Sequence, residues 1–168
     1  MQYFLLMVEH CCARFALNIS LCNSMKKIRS ILLVDDDSLV NKKNCELINK
    51  LKLTDHVHTC CDGQSALEYL AEVTAHDGEQ GYIFPALIIL DLRMPVMDGE
   101  TFLKQYNALY PHRTDCTLIC MISANADMDD RKHMLSDLGA HLFVGKPLTA
   151  KVLNDIYNVL KDMDCFVK

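Results

Sequence analysis

Five residues of this 168-residue chain could do chemistry together: Asp35, Asp36, Asp91, Ser123 and Lys146. Each stands at the end of a short apolar run or just past it. Brought close, the carboxylates would repel; two like charges about 4 Å apart at an effective dielectric of about 20 cost on the order of 4 kcal/mol. Such a cluster implies a cation, and hard oxygens unaccompanied by His or Cys suit Mg2+. A lysine ammonium and a serine hydroxyl are donors matched to phosphoryl oxygens. The five residues describe a site that holds a phosphoryl group beside a metal, provided the chain brings them to one place.

The pattern of elements does so. Ile31–Val34 stops at Asp35-Asp36-Asp37, and Ala86–Leu90 stops at Asp91. Both runs are short and rich in the aliphatics expected of strands covered on both faces. Cys116–Ile122, ending in Ser123, and His141–Val144, leading to Gly145-Lys146-Pro147, read the same way. His56–Cys60 is mixed in polarity and suits a sheet edge. Helical spacing follows each strand. Val40, Leu47, Ile48 and Leu51 come after a cap at Asp37 or Ser38, and Ala66, Leu67, Leu70 and Val73 after Asp62-Gly63. Phe102, Leu103, Tyr106 and Leu109 follow Asp98-Gly99; Asp127–Leu138 is closed by Gly139; Val152, Leu153, Ile156, Val159 and Leu160 follow a Thr149 cap. Five strands alternating with five helices predict an α/β fold, a parallel sheet with helices on both faces. Parallel strands point one way, so the residues past their ends gather at the C-terminal edge of the sheet, where open α/β folds bind ligands.

A chain of this length has room for one domain with a proper core. Its residues are 51% hydrophobic and its formal charge is −5, a balance that gives no support to nucleic-acid binding. Nine cysteines occur without paired CxxC or CxxH modules, and Cys11-Cys12 and Cys60-Cys61 are adjacent pairs unsuited to zinc, so they read as reduced thiols in a cytosolic core. In residues 1–24, Glu9, His10 and Arg14 interrupt apolar clusters well short of a membrane span, and the early basic residues of a secretory signal are missing. This stretch can be an upstream extension, a docking helix or an amphipathic anchor. Met25-Lys26-Lys27-Ile28 looks like the natural start of the folded unit, which favours the first and puts a single domain at residues 25–168.

The motifs in order are a strand-ending Asp-Asp, a strand-ending Asp91 followed by Met94-Pro95 and Asp98-Gly99, a strand-ending Ser123-Ala124, and Lys146-Pro147. Together they resemble the response-regulator receiver domain of two-component signalling, over nearly all of Lys26 to Asp162. The resemblance implies a doubly wound, flavodoxin-like (βα)5 fold with strand order 2-1-3-4-5. It implies that Asp91 is the phosphoacceptor, attacking the phosphorus of a phosphohistidine in a sensor histidine kinase or histidine phosphotransfer protein. Asp36 and Asp91 would bind Mg2+ directly and Asp35 through water, and the backbone carbonyl of Arg93 would complete the protein ligands. Ser123 and the Ala124 backbone N–H would bond the phosphoryl group, Lys146 would neutralise another of its oxygens, and Lys146-Pro147 is the expected cis peptide. Phosphorylation adds about 1.5 to 2 negative charges. Ser123 would move toward them, Phe143 would rotate into the space, and the surface of the fourth helix, fifth strand and fifth helix would change its preference for a downstream protein. The other reading of Phe143 is a fixed core aromatic.

Three features stand apart from the motifs. Three consecutive acids leave the register open, and Asp35-Asp36 is taken because it follows the apolar run directly. Arg93 and Asn125 occupy places that in the family tune aspartyl-phosphate lifetime, and Arg93 is expected to shield the phosphoryl group from water. The stretch Thr74–Phe84 is longer than a compact domain needs and reads as a surface insertion, with a partner contact as the other reading. The expectation is a stand-alone, cytoplasmic response regulator whose catalysis is limited to its own phosphorylation and dephosphorylation, with no nucleic-acid or membrane partner. One alternative is a Mg2+-dependent phosphatase working through an aspartyl phosphate. Such enzymes usually carry their nucleophile in an Asp-x-Asp motif at the first strand and have a cap domain. Another is a binding module that works without phosphorylation, although every matched motif position holds a competent residue.

Overall fold

A computed structural model of the chain describes residues 26–112, 116–124, 128–161, 163 and 166. The expected N-terminal extension, Asn125 and Asp127 lie outside the described residues. The strands are β1 Ile31–Val34, β2 Val57–Cys60, β3 Leu87–Asp91, β4 Leu118–Ser123 and β5 Leu142–Gly145. Between and after them run α1 Ser38–Lys50, α2 Gly63–Ala75, α3 Gly99–Leu109, α4 Met128–Lys132 with a π-helical turn His133–Asp137, and α5 Ala150–Leu160. The strands form one parallel sheet in the order β2-β1-β3-β4-β5, as expected. Among the described residues no helix is long and apolar enough to cross a membrane.

Strand alternation sorts the core into two layers. Leu32, Val34, Ile88 and Leu90 face α2, α3 and α4, in a layer with Phe84, Phe102, Tyr106, Phe143 and the methionines Met94, Met97, Met121 and Met134. Ile31, Leu33, Leu87 and Ile89 face α1 and α5, in a layer dominated by Ile28, Ile48, Leu53, Leu118, Leu153, Ile156 and Leu160. Four helices start on side-chain caps, those at Asp37, Asp98 and Thr149 as expected. Asp37 accepts from Leu39 and Val40, Asp62 from Ser65, Asp98 from Thr101 and Thr149 from Val152. The Lys146-Pro147 bond is cis, as expected.

Several expectations shift. β4 begins at Leu118, because Cys116 O accepts from the Arg29 guanidinium and Thr117 Oγ1 donates to Pro85 O, outside the strand ladder. β5 begins at Leu142; just before it His141 donates its N–H to Ile119 O and its ring accepts from Ile119 N–H at 3.1 Å. The fourth helix is α-helical only to Lys132, where the π-turn takes over, and Gly139 then takes φ +72. Leu109 and Val159, placed by periodicity on buried faces, are exposed at the borders of their stripes. Among the described cysteines all are free. Cys60 and Cys120 fill the core, with burial pushing their thiols up to about 11 and about 12, whereas Cys61 is exposed. The stretch expected to start at Thr74 begins after Ala75, where α2 ends, and it carries contacts of its own. Glu79 N–H donates to His76 O and Tyr82 N–H to Glu79 O, the His76 and Tyr82 rings stack at 4.5 Å, and Phe84 is buried against Tyr110.

The loop from Asp91 to α3 is tightly drawn. Met97 N–H donates to Pro95 O at 2.7 Å around Val96, whose φ is +64, a strained γ-turn. Gly99 closes the loop with its N–H on Leu92 O, and a Cβ there would lie 2.5 Å from Asp91 O and 2.8 Å from Met121 Cε.

Candidate functional site

Register delivers the site. Val34 lies beside Leu90, Asp91 beside Ile122, and Ser123 beside Gly145. One residue past these pairs, Asp35, Asp91, Ser123 and Lys146 emerge together at the C-terminal edge of the sheet. Asp35 is fixed on all sides. Its N–H donates to Cys60 O, its Oδ1 accepts from Asp37 N–H at 3.0 Å, and its own carbonyl accepts from Asn41 Nδ2 at 2.9 Å. Asp35, Asp91 and Ser123 are buried, and Asp36 is exposed.

Lys146 reaches into this edge, with Nζ 2.6 Å from Asp35 Oδ2 and 3.0 Å from Asp91 Oδ2. The shorter contact sets the ammonium against the buried Asp35 Oδ2, so that carboxylate is met by the Lys146 charge. Burial raises the Asp91 pKa above the ordinary carboxylate value, against the opposing pull of Lys146. Burial lowers the Lys146 pKa, but the Asp35 and Asp91 carboxylates outweigh it and the net shift is upward. One ammonium thus holds two carboxylates.

Carboxylate oxygens of Asp35, Asp36 and Asp91 all lie within 4.8 Å of one another. Three hard oxygen donors, one of them on exposed Asp36 where water can stay bound, fit an octahedral, partly hydrated Mg2+.

The other expected residues are spread more widely. Ala124 is exposed just beyond Ser123, and Phe143 is buried in β5 below Lys146, with the Arg131 guanidinium 5.9 Å from its ring centroid. The Arg93 side chain turns to Asp130, Nη2 to Oδ2 at 3.1 Å. Sequence reading passed over Asn41. It is buried in α1, and its Nδ2 ties Asp35 O to Cys60 O at 2.9 and 3.1 Å, joining the acidic loop to β2. An apolar periodicity count skips a polar residue by construction; Asn41 four residues after the Asp37 cap was its only trace.

Comparison with known proteins agrees with this fold. The family model described as "Response regulator receiver domain" matches residues 31–158. A protein-glutamate methylesterase/protein-glutamine glutaminase of Hydrogenovibrio crunogenus is 33% identical over 124 residues, covering 73% of this chain and 29% of that protein. The chain is 27% identical to the probable methanogenesis regulatory protein FilR2 of Methanothrix harundinacea, over 79% of this chain and 81% of the relative. Among solved structures, a two component response regulator from Cytophaga hutchinsonii superposes with a TM-score of 0.72 at 29% identity, over 82% of this chain and 99% of that one. The chain spans less than a third of the methylesterase it matches and most of FilR2.

Proposed function

This chain belongs to the response regulator receiver domain family, and on that premise we propose that it accepts a phosphoryl group on Asp91 from a histidine kinase or histidine phosphotransfer protein. The observation that carries the reading is the Lys146 ammonium held between Asp35 and Asp91 at the sheet edge. An Asp91 oxygen would form the P–O bond as the P–N bond to the donor imidazole breaks, and the electron pair would leave on the imidazole nitrogen, which takes up a proton. Lys146 and Ser123 would face the phosphoryl oxygens, with the Ala124 N–H as a further donor. Asp36, Asp91 and, through water, Asp35 would hold Mg2+ together with the Arg93 carbonyl, and the bound ion would supply positive charge against the phosphoryl oxygens. Ser123 drawn toward the phosphoryl group would open space for Phe143. The α4, β5 and α5 surface would then present a different face to a downstream protein, so the chain works as a signalling module.

Intact-mass measurement after incubation with acetyl phosphate and Mg2+ tests this. A single phosphoryl adduct is expected, lost without Mg2+ and lost in Asp91→Asn. Persistence of the adduct in Asp91→Asn would sink the assignment. Beryllofluoride binding checks that a missing adduct is not merely one that hydrolyses fast.

A further inference from the structure

α4 is a weakly buried element. Among the described residues of α4 and its π-turn only Met134 is buried. Charged groups tie it to its neighbours. Asp130 meets Arg93 of the loop after β3 at 3.1 Å, Arg131 lies over Phe143 of β5, and His133 stands 3.5 Å from Glu100 of α3 and 2.8 Å from Asp137 of its own turn. The first of these ties begins two residues from Asp91. Its partners are 67% and 29% exposed, so the pair is cheap to exchange for a better one.

We propose that Asp130 is a positioning residue that holds the Arg93 guanidinium away from Asp91. A phosphoryl group on Asp91 then competes for that guanidinium and unties the first turn of α4. The inference rests on Asp91 being the phosphoacceptor. A phosphoryl group brings about 1.5 to 2 negative charges and three acceptor oxygens, more than the single carboxylate of Asp130 offers, and guanidinium binds phosphoryl oxygens in a fork. Coupling of this kind is reciprocal. If phosphorylation weakens the hold of Asp130 on Arg93, removing Asp130 must strengthen phosphoryl binding by the same factor. The route runs through the loop and helix surface, separately from Ser123 and Phe143.

Beryllofluoride with Mg2+, a reversible phosphoryl mimic, tests this when titrated against the full chain by NMR. Asp130→Asn should bind it roughly two- to fivefold tighter and Arg93→Gln, which leaves the backbone carbonyl in place, correspondingly weaker. In the Arg93→Gln background, Asp130→Asn should lose most of its effect, and with Arg93 present Asp130→Glu should keep the parent affinity. Amides of His133–Asp137 should exchange faster with beryllofluoride bound, and be fast already in Asp130→Asn. An equal effect of Asp130→Asn in both backgrounds would show a merely structural role and overturn the proposal, as would no effect in either. If no variant binds beryllofluoride and acetyl phosphate leaves no adduct, the phosphoacceptor reading itself falls. Normal binding with a silent Asp130→Asn removes only the latch.

Discussion

Val96 holds a left-handed backbone with a β-branched side chain that is 86% exposed. That conformation costs an L-residue about 1–2 kcal/mol, and almost no burial repays it. Val96→Gly is therefore expected to stabilise the protein by about 0.5–1 kcal/mol after the added chain entropy of glycine. Urea unfolding reads this as a higher midpoint at unchanged slope; a lower midpoint would show that the valine side chain matters. Three residues on, the opposite holds. Gly99→Ala would drive a methyl into Asp91 O, with an expected cost of about 2 kcal/mol or more and a smaller acetyl phosphate adduct. Lys146→Met would leave Asp35 and Asp91 facing each other without their ammonium. The expected loss lies at the lower end of the roughly 3–5 kcal/mol of a broken buried pair, because Lys146 keeps some contact with solvent.

Helix caps act at the scale of the element. Asp62 accepts from Ser65 N–H at 2.7 Å while Ser65 Oγ accepts from Asp62 N–H, so both ends of the box are closed. The Ser65 backbone bond, foremost, holds the Asp62 carboxyl below its ordinary pKa. A depressed folded pKa contributes stability that is present above the unfolded value and lost as pH falls through the folded one. Asp62→Asn keeps an acceptor without the charge. Its deficit in unfolding free energy against the parent is expected at pH 6 and should shrink as pH falls below the ordinary aspartate range; a constant deficit would mean the charge contributes nothing. These caps and the strand ends were legible because each is spelled by neighbours in sequence: an apolar run, then an acid, then a glycine or serine. What stayed hidden depends on residues far apart in the chain. Asn41 is buried because β2 and the acidic loop both present carbonyls to it, Arg93 meets Asp130 across 37 positions, and the π-turn appears where α4 has little apolar face to keep it regular.

The sheet edge makes one binding property of the whole molecule predictable. An ion gathered by Asp35, Asp36 and Asp91 adds its binding free energy to stability, so Mg2+ is expected to raise the thermal midpoint, a chelator to reverse the gain, and Asp36→Asn to abolish most of it. A midpoint indifferent to Mg2+ would argue against the site. The two core layers divide the molecule further. Methionine is unbranched and polarisable, whereas isoleucine and leucine have few shapes. Four methionines sit on the side of α2, α3 and α4, and the α1 and α5 side is almost wholly aliphatic. One sheet therefore separates a compliant half from a stiff one. Under hydrostatic pressure the methionine side should yield first, with amides of α3 and the π-turn losing protection before those of α1 and α5, so that the half nearest the proposed output surface is also the half that deforms at least cost.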